Sequence, residues 1–287
     1  MTTRRRWVRK VLAVATLVAA PLAATALAAG AITWTIGADG VTGDTAIAGT
    51  GFQAVDLVNH LGPDQELAVF RLPDGRMLAD FQPAYEKLMG AFQGPDVGKV
   101  VAAFVKEYAA VGGGIMASGQ TQRIYVDLEP GRYVITGSEA DADAPVPHYL
   151  AVTVSDGPAA TAPKADLELH LADFEFDFPD TISAGPQLWH VENTGAQVHI
   201  AALFKLHSGK TQDDLLSWFE SMGPTGPSGP PPADALTQEV DAITPDQSYY
   251  VAMDLEPGTY VAVCFMPDAE TGEPHLMKGM IQTFTAL

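Results

Sequence analysis

One sequence pattern occurs twice, and this repetition constrains the fold more than any other feature of the chain. The segments "VDLEPGRYVITG" at 126–137 and "AMDLEPGTYVAVC" at 252–264 share the core DLEPGxYV. Farther upstream, "VNHLGPDQELAVFRL" at 58–72 matches "ENTGAQVHIAALFKL" at 192–206. Similarity at two matched positions indicates that one structural unit is copied within the chain. The sequence therefore predicts a tandem duplication.

The two copies are predicted to occupy residues 30–157 and 165–287, joined by an alanine- and proline-rich linker at 158–164. The stretch "LELHLADFEFDF" at 167–178 alternates apolar and polar residues, which is typical of a half-buried strand. Short apolar runs separated by turn sequences such as "NTGA" and "EPG" favour a sandwich of two sheets. We therefore expect an all-β fold.

Each copy also carries a predicted helical insertion. In the second copy it is "TQDDLLSWFESM" at 211–222, with the helix cap expected at Thr211 and Asp213 or nearby. In the first copy "QPAYEKLMGAF" and "VGKVVAAFVKEYAA" occupy the equivalent place, and the glycines at 112–114 are expected to form a flexible segment.

The first 29 residues have the pattern of an export signal. A basic segment, an apolar stretch and the small residues "ALA" follow one another, as in a signal peptide that forms a helix. Thr3-Arg4-Arg5 followed by Trp7 resembles a twin-arginine signal. We expect an exported protein that is periplasmic, extracellular or associated with the cell envelope. An uncleaved N-terminal anchor is the alternative, and it is the only lipid contact that we expect.

The chain is strongly acidic. Its formal charge is −19, and removal of residues 1–29 takes away five basic residues and no acidic one, which gives −19 − 5 = −24. Such a surface repels nucleic acid and anionic lipid. It suits a protein partner with a basic surface, or a solvated acidic face with no specific partner.

Four side chains in the second copy carry donor atoms that soft metals accept. Cys264 is the only cysteine, so it is a buried thiol, an intermolecular link or a metal ligand. His199 and His275 add imidazole nitrogens, and Met280 adds a thioether. Two imidazoles, one thiolate and a weak thioether form the set that selects copper in electron-transfer centres.

The first copy lacks this set of donors. Its matching positions hold Glu66, Gly137, His148 and Thr153. Only the histidine that corresponds to His275 is kept, so we expect a first copy without a metal site, acting as a structural or docking domain.

The second copy resembles the cupredoxins, the plastocyanin and azurin family of blue-copper proteins. The matching residues are Asn193-Thr-Gly before His199, Gly258-x-Tyr260-x-x-x-Cys264, and His275-x-x-x-Gly279-Met280. The resemblance implies tandem Greek-key β-sandwiches, with one type 1 copper held by these ligands at one end of the second. It also implies a one-electron carrier with a redox protein partner, and the edge of the C-terminal histidine as the exit for the electron.

Other functions stay open beside this one. The chain is alternatively a metal-free tandem sandwich that binds a partner through its helical insertions, or a protein that carries Cu(I) without redox cycling. His207 lies close enough in sequence to compete with His199 as a ligand. Further His-x-His pairs, phosphate loops and nucleophile motifs do not occur, so we expect a protein that is not an enzyme.

Overall fold

The computed structural model describes residues 30–92, 94–140, 146–221 and 228–287. The predicted signal peptide at 1–29 lies outside the described residues. Within the described ranges, every helix is too short or too polar to cross a membrane.

The first half of the described chain forms two layers of strands. The strands are β1 (Ile32–Gly37), β2 (Gly40–Gly43), β3 (Ala46–Asn59), β4 (Gln65–Arg71), β5 (Ala109–Met116), β6 (Thr121–Leu128), β7 (Gly131–Glu139) and β8 (His148–Ala160). Hydrogen bonding orders them as β2–β1–β3–β6 and as β8–β7–β4–β5. The long strand β3 also pairs with β8 in parallel, and so connects the layers.

The second half repeats this pairing. Its strands are β9 (Leu167–Ala172), β10 (Glu175–Asp177), β11 (Thr181–Ile182), β12 (Gly185–Asn193), β13 (His199–Leu206), β14 (Ala233–Ile243), β15 (Ser248–Leu255), β16 (Gly258–Val263) and β17 (Ile281–Ala286). They form the layers β10–β9–β12–β15 and β11–β17–β16–β13–β14. The two halves join where β6 pairs with β15 and where Val111 of β5 pairs with Ile243 of β14.

The helices lie in the predicted insertions. They are α1 (Leu78–Ala91) and α2 (Val97–Val105), between β4 and β5, and α3 (Gln212–Glu220), between β13 and β14. Thr211 is the N-cap of α3, and its hydroxyl accepts a hydrogen bond from the backbone N–H of Asp214. Phe219 of α3 packs edge-on against Phe204 and Phe265, which anchors the helix over β13 and the end of β16.

The repeated motifs make the same contacts in both halves. The hydroxyl of Tyr133 donates to the carbonyl of Glu129, and that of Tyr260 donates to the carbonyl of Glu256. These bonds explain why the tyrosine recurs in DLEPGxYV, because each one fastens the turn that precedes its strand.

The buried amides of Asn59 and Asn193 also match. Each side-chain NH₂ donates to two backbone carbonyls, and each side-chain oxygen accepts from the N–H two residues on. Each amide therefore holds a loop against the strand that faces it, and a buried amide is stable only when its groups are paired in this way.

Two local predictions are wrong. The segment 167–178 is a hairpin rather than one strand, because β9 and β10 pair antiparallel around a turn at Asp173 and Phe174. The glycines at 112–114 lie within β5 rather than in a flexible segment. A Cβ on Gly112, whose φ is 138°, would lie 2.9 Å from the Tyr249 ring, so close packing requires glycine there.

The prediction of an all-β fold with helical insertions is confirmed. The repeated pairing and contacts are what a duplication would produce, and the boundaries 30–157 and 165–287 stay predictions. Strand β8 continues to Ala160, so the first three residues of the predicted linker 158–164 belong to a strand.

Candidate metal centre

Three predicted ligands meet at one point in the second half. His199 begins β13, Cys264 follows β16, and His275 opens a short 3₁₀ helix at His275–Lys278. The Nδ1 atoms of the two histidines are 3.1 Å apart. The Cys264 Sγ lies 3.9 Å from Nδ1 of His199 and 3.5 Å from Nδ1 of His275. All three side chains are 0% exposed, so the cluster is closed to water.

Backbone hydrogen bonds fix the loop that carries the last two predicted ligands. The N–H of Cys264 donates to the carbonyl of Met280, and the N–H of Met280 donates to the carbonyl of His275. Gly279, between them, has a φ of 107°, a conformation that favours glycine. Met280 is itself fully buried. These bonds tie the fourth predicted ligand to the other two through the main chain, and its role as an axial ligand stays a prediction.

Asp173 is a site residue that the sequence reasoning missed. Its Oδ1 atom accepts a hydrogen bond from Nε2 of His199 at 3.0 Å. The same oxygen accepts from the backbone N–H groups of Ala196 and Gln197. Because Nε2 of His199 is the donor, Nδ1 keeps its lone pair and points it into the cluster. Histidines that bind metals commonly donate their other ring N–H to a carboxylate, and this hydrogen bond fixes the tautomer and the orientation of the ring.

Gly195 leaves the space in which this hydrogen bond forms. A Cβ at this position would lie 2.5 Å from Oδ1 of Asp173 and 2.8 Å from Nε2 of His199. Both distances are below any normal contact, so a larger residue would push the carboxylate and the ring apart. The Asn193-Thr-Gly motif therefore requires glycine at position 195, because a side chain there would disrupt the hydrogen bond between Asp173 and His199.

Phe174 covers the remaining side of the cluster. Its ring meets the His275 ring edge-on, with centroids 5.2 Å apart, and the Lys278 ammonium lies 4.6 Å from the Phe174 centroid. Phe174 has a φ of 68°, which is strained for an aromatic residue. His275 itself is 0% exposed, with the Phe174 ring against it, and its role as the exit for the electron stays a prediction.

Without a bound ion, the two histidines and the cysteine of the cluster are stabilised in their neutral forms. Burial lowers the pKa of His199, although Asp173 acts in the opposite direction. Burial, followed by the nearby His199, lowers the pKa of His275 to about 3. Burial also raises the pKa of the Cys264 thiol to about 12. A cation would replace the thiol proton and pair with the thiolate, which is the form that binds metals.

The donor geometry fits a single metal ion. Two donors bound to one ion at roughly 2.0–2.3 Å and at angles near 100–120° lie about 3.1–4.0 Å apart. The three measured separations, 3.1, 3.5 and 3.9 Å, fall within that range. Nδ1 of both histidines and the sulfur converge without any rearrangement of the chain.

The competing candidates lie elsewhere. His207 is half-exposed, its Nε2 lies 3.0 Å from Oδ1 of Asp234, and it follows the end of β13 opposite to His199, so it is remote from this cluster. Among the described residues, one group of three histidine, cysteine or acidic side chains has a metal-binding arrangement, and it is His199, Cys264 and His275. In the first half Gly137 is enclosed by Ile36, Val41 and Leu67, which leaves no room for a side chain.

The solved structures that are similar to this chain include copper proteins. No protein-family model and no curated protein matches the sequence. A dithionite-reduced auracyanin from Roseiflexus castenholzii is 22% identical over 42% of this chain and 94% of its own, with a TM-score of 0.28. A multicopper oxidase is 12% identical over 92% of each chain, with a TM-score of 0.22. A copper nitrite reductase from Nitrosomonas europaea is 11% identical over 89% of this chain and 93% of its own, with a TM-score of 0.23.

The expectation that the protein is not an enzyme is contradicted by this set. It contains oxidases and nitrite reductases together with the auracyanins. The expectation depended on the lack of His-x-His pairs, phosphate loops and nucleophile motifs, and catalytic sites are also built from carboxylates and other donors, so these absences do not exclude catalysis. At TM-scores this low, the likenesses assign no activity to this chain.

Proposed function

We propose that the chain is an exported copper protein that transfers single electrons through its C-terminal half. One observation carries the proposal: Nδ1 of His199, Nδ1 of His275 and Sγ of Cys264 converge in a buried cluster. This is the donor set of blue-copper centres, and Met280 is the proposed weak axial ligand. Bound copper would supply a one-electron couple between Cu(I) and Cu(II), taking one electron from a donor protein and passing it to an acceptor.

The protein's own residues would keep this site rigid and dry. Asp173 holds the His199 ring, and the backbone bonds between Cys264, His275 and Met280 hold the ligand loop. Phe174 excludes water from the His275 side. A site that changes little between two oxidation states needs little reorganisation when an electron enters or leaves, and buried packing of this kind restricts such change.

The electron path that we propose passes through Phe174. This ring packs edge-on against His275 and is itself partly exposed, and the Lys278 ammonium is placed over it. The rest of the chain is strongly acidic, so we propose a redox partner whose docking face is rich in lysine and arginine.

Titration of the purified protein with Cu(II) tests the metal proposal. We expect one equivalent to bind and to produce the intense visible absorption of a copper–thiolate bond. Cys264→Ser should abolish the colour, whereas the matched control His207→Asn, at a half-exposed histidine outside the cluster, should retain it.

Two results would contradict the proposal. A colourless protein whose thiol stays titratable after copper addition would favour the metal-free binding protein. Tight Cu(I) binding without any blue form would favour copper trafficking. For export, a mature N-terminus near residue 30 in the secreted protein is the expected result, and an intact residue 1 would indicate an anchor.

A further inference from the structure

A cavity of about 160 Å³ lies where the two halves meet the helical insertion of the first. The aromatic walls are Phe70 of β4, Tyr85 of α1, Phe92 directly after α1, and Phe104 of α2. Ile200 and Phe265, each next in sequence to a predicted metal ligand, also line it. An apolar cavity of about 150 Å³ is large enough for one benzene ring. This cavity therefore has room for a small organic molecule.

The cavity is unusual because carboxylates line an otherwise apolar wall. Glu66 enters from β4, and Glu239 and Asp241 enter from β14, while Glu139 lies at its exposed side. Within the described chain, no lysine, arginine or histidine lines it. Burial of the Glu66 and Asp241 carboxylates in an apolar wall is costly, so these two groups call for a positive partner or for protonation.

Asp241 is the cavity residue that most strongly indicates a bound cation. It is 4% exposed, and its Oδ1 atom accepts a hydrogen bond from the N–H of Ala242 at 2.6 Å. Its Oδ2 atom is buried and has no hydrogen-bond partner among the described residues. Native structures rarely leave such an atom unpaired, and a bound ion is one established reason for it.

The surrounding backbone is arranged to make room for this carboxylate. A Cβ on Gly113 of β5 would overlap Oδ2 of Asp241, so the glycine allows the acid to lie against the neighbouring strand. The N–H of Asp241 donates to the hydroxyl of Tyr249 at 3.0 Å, which fixes the position of its main chain. The carboxylate is therefore held at the cavity by groups from both halves of the chain.

We propose that this cavity binds a small organic cation, a protonated amine whose ammonium group pairs with Asp241 and Glu66 and whose apolar body packs against the aromatic walls. The ammonium would give Oδ2 of Asp241 the donor that it lacks. The faces of Tyr85, Phe92 and Phe104 would stabilise the charge and bury the apolar body. The volume limits the ligand to about the size of one ring with a short side chain. This site does not depend on copper at His199 and Cys264.

Calorimetric titration of the purified protein with benzylamine, and with benzyl alcohol as its neutral counterpart, tests the proposal. We expect benzylamine to bind at least tenfold more tightly than benzyl alcohol and to raise the melting temperature. Asp241→Asn should weaken benzylamine binding at least tenfold, and Glu66→Gln should weaken it in the same direction. The matched control Asp177→Asn, at an exposed acid on β10, should leave binding unchanged within about twofold.

Three outcomes would overturn it. Equal binding of benzylamine and benzyl alcohol would show that the cavity is simply apolar. Lack of benzylamine binding at millimolar concentration would show that it accepts no amine. Competition by calcium chloride, at matched ionic strength, would assign the carboxylates to an inorganic cation. If Asp241→Asn fails to fold, the affinities of benzylamine and benzyl alcohol for the unmodified protein still test whether the cavity prefers a cation.

Discussion

The Asp173 carboxylate accepts a hydrogen bond from Nε2 of His199 at 3.0 Å, and this bond sets which nitrogen of the histidine faces Cys264. We expect Asp173→Ala to lower copper affinity by roughly tenfold to a hundredfold, the usual effect of losing a group that orients a ligand. Asp173→Asn keeps an acceptor oxygen and should lose less. Competition with a chromophoric chelator measures the affinity. The control Asp177→Ala removes a nearby exposed acid. An equal loss of copper affinity in that variant would show that Asp173 acts only through its negative charge and not through its hydrogen bond.

Gly195 permits that hydrogen bond, since a Cβ would lie 2.5 Å from Oδ1 of Asp173. We expect Gly195→Ala to weaken copper binding in the same direction as Asp173→Ala. The double variant should add little to either change, because both remove one interaction. Chelator competition on all three proteins tests this, and Gly62→Ala, at an open loop position without a left-handed φ, serves as the control for glycine replacement. Fully additive losses would contradict the shared cause.

Phe174 shields His275 at a strained backbone position, with a φ of 68°. Phe174→Ala and Phe174→Gly both remove the ring, and both should speed reduction of the copper form by small soluble reductants, because His275 becomes accessible. The glycine variant should be more stable than the alanine variant by about 1 kcal/mol, since glycine adopts positive φ without a Cβ penalty. Stopped-flow reduction and urea unfolding measure these effects. Unchanged reduction rates in both variants would show that the ring does not limit access.

Asp241 should make stability depend on pH. Burial, followed by the charge of Glu66, raises its pKa well above the usual value, while the N–H of Ala242 opposes the shift. The hydroxyl of Tyr249, which accepts a hydrogen bond from the Asp241 N–H, and the side chain of Tyr85 also lie near this carboxyl group. A raised folded-state pKa gives stability that is complete below the unfolded pKa of about 3.8 and is lost as pH rises through the folded-state pKa.

The melting temperature of Asp241→Asn relative to the unmodified protein should therefore increase from pH 4 to pH 8, in amine-free buffer. Thermal unfolding followed by circular dichroism measures the difference. Asp177→Asn should show a constant offset over the same interval, because that acid is exposed. A constant offset for Asp241→Asn as well would mean that its carboxyl titrates normally.

The formal charge of −19 predicts how ionic strength affects docking. Electron exchange between the copper form and a basic c-type cytochrome should slow as salt rises from 10 mM to 200 mM. The reason is that salt screens the attraction between the acidic and basic surfaces: the Debye length falls from about 30 Å at 10 mM to below 10 Å at 200 mM. Exchange with an uncharged hydroquinone should be nearly insensitive to salt. Stopped-flow rates for both reactants check this, and a cytochrome rate that ignores salt would count against an acidic docking face.

Part of the candidate site was accessible to sequence reasoning. Cys264 and His275 lie on one short segment, and His199 begins a strand in the matched repeat, so the donor types and their spacing already indicated a metal site. Asp173 was missed because 167–178 alternates almost throughout. The apolar positions change from odd to even numbers between Leu171 and Phe174, and this slip was the available signal for a turn.

The cavity at Asp241 had no comparable signal. Its carboxylate faces Glu66 and Gly113, which lie more than a hundred residues earlier in the chain. The pairing of β5 with β14 brings them together, and no local pattern encodes that pairing.

The sequence by itself determined the alternation that makes strands, the cap that begins α3 and the kinds of donor atom available. These are properties of neighbouring residues, because backbone periodicity and side-chain chemistry are local. Only the tertiary structure decided that Phe174 packs against His275, that Asp173 accepts a hydrogen bond from His199, and that an acid with one oxygen unpartnered among the described residues borders an aromatic cavity. Each of these depends on how distant segments share a small volume, which packing of the whole chain sets.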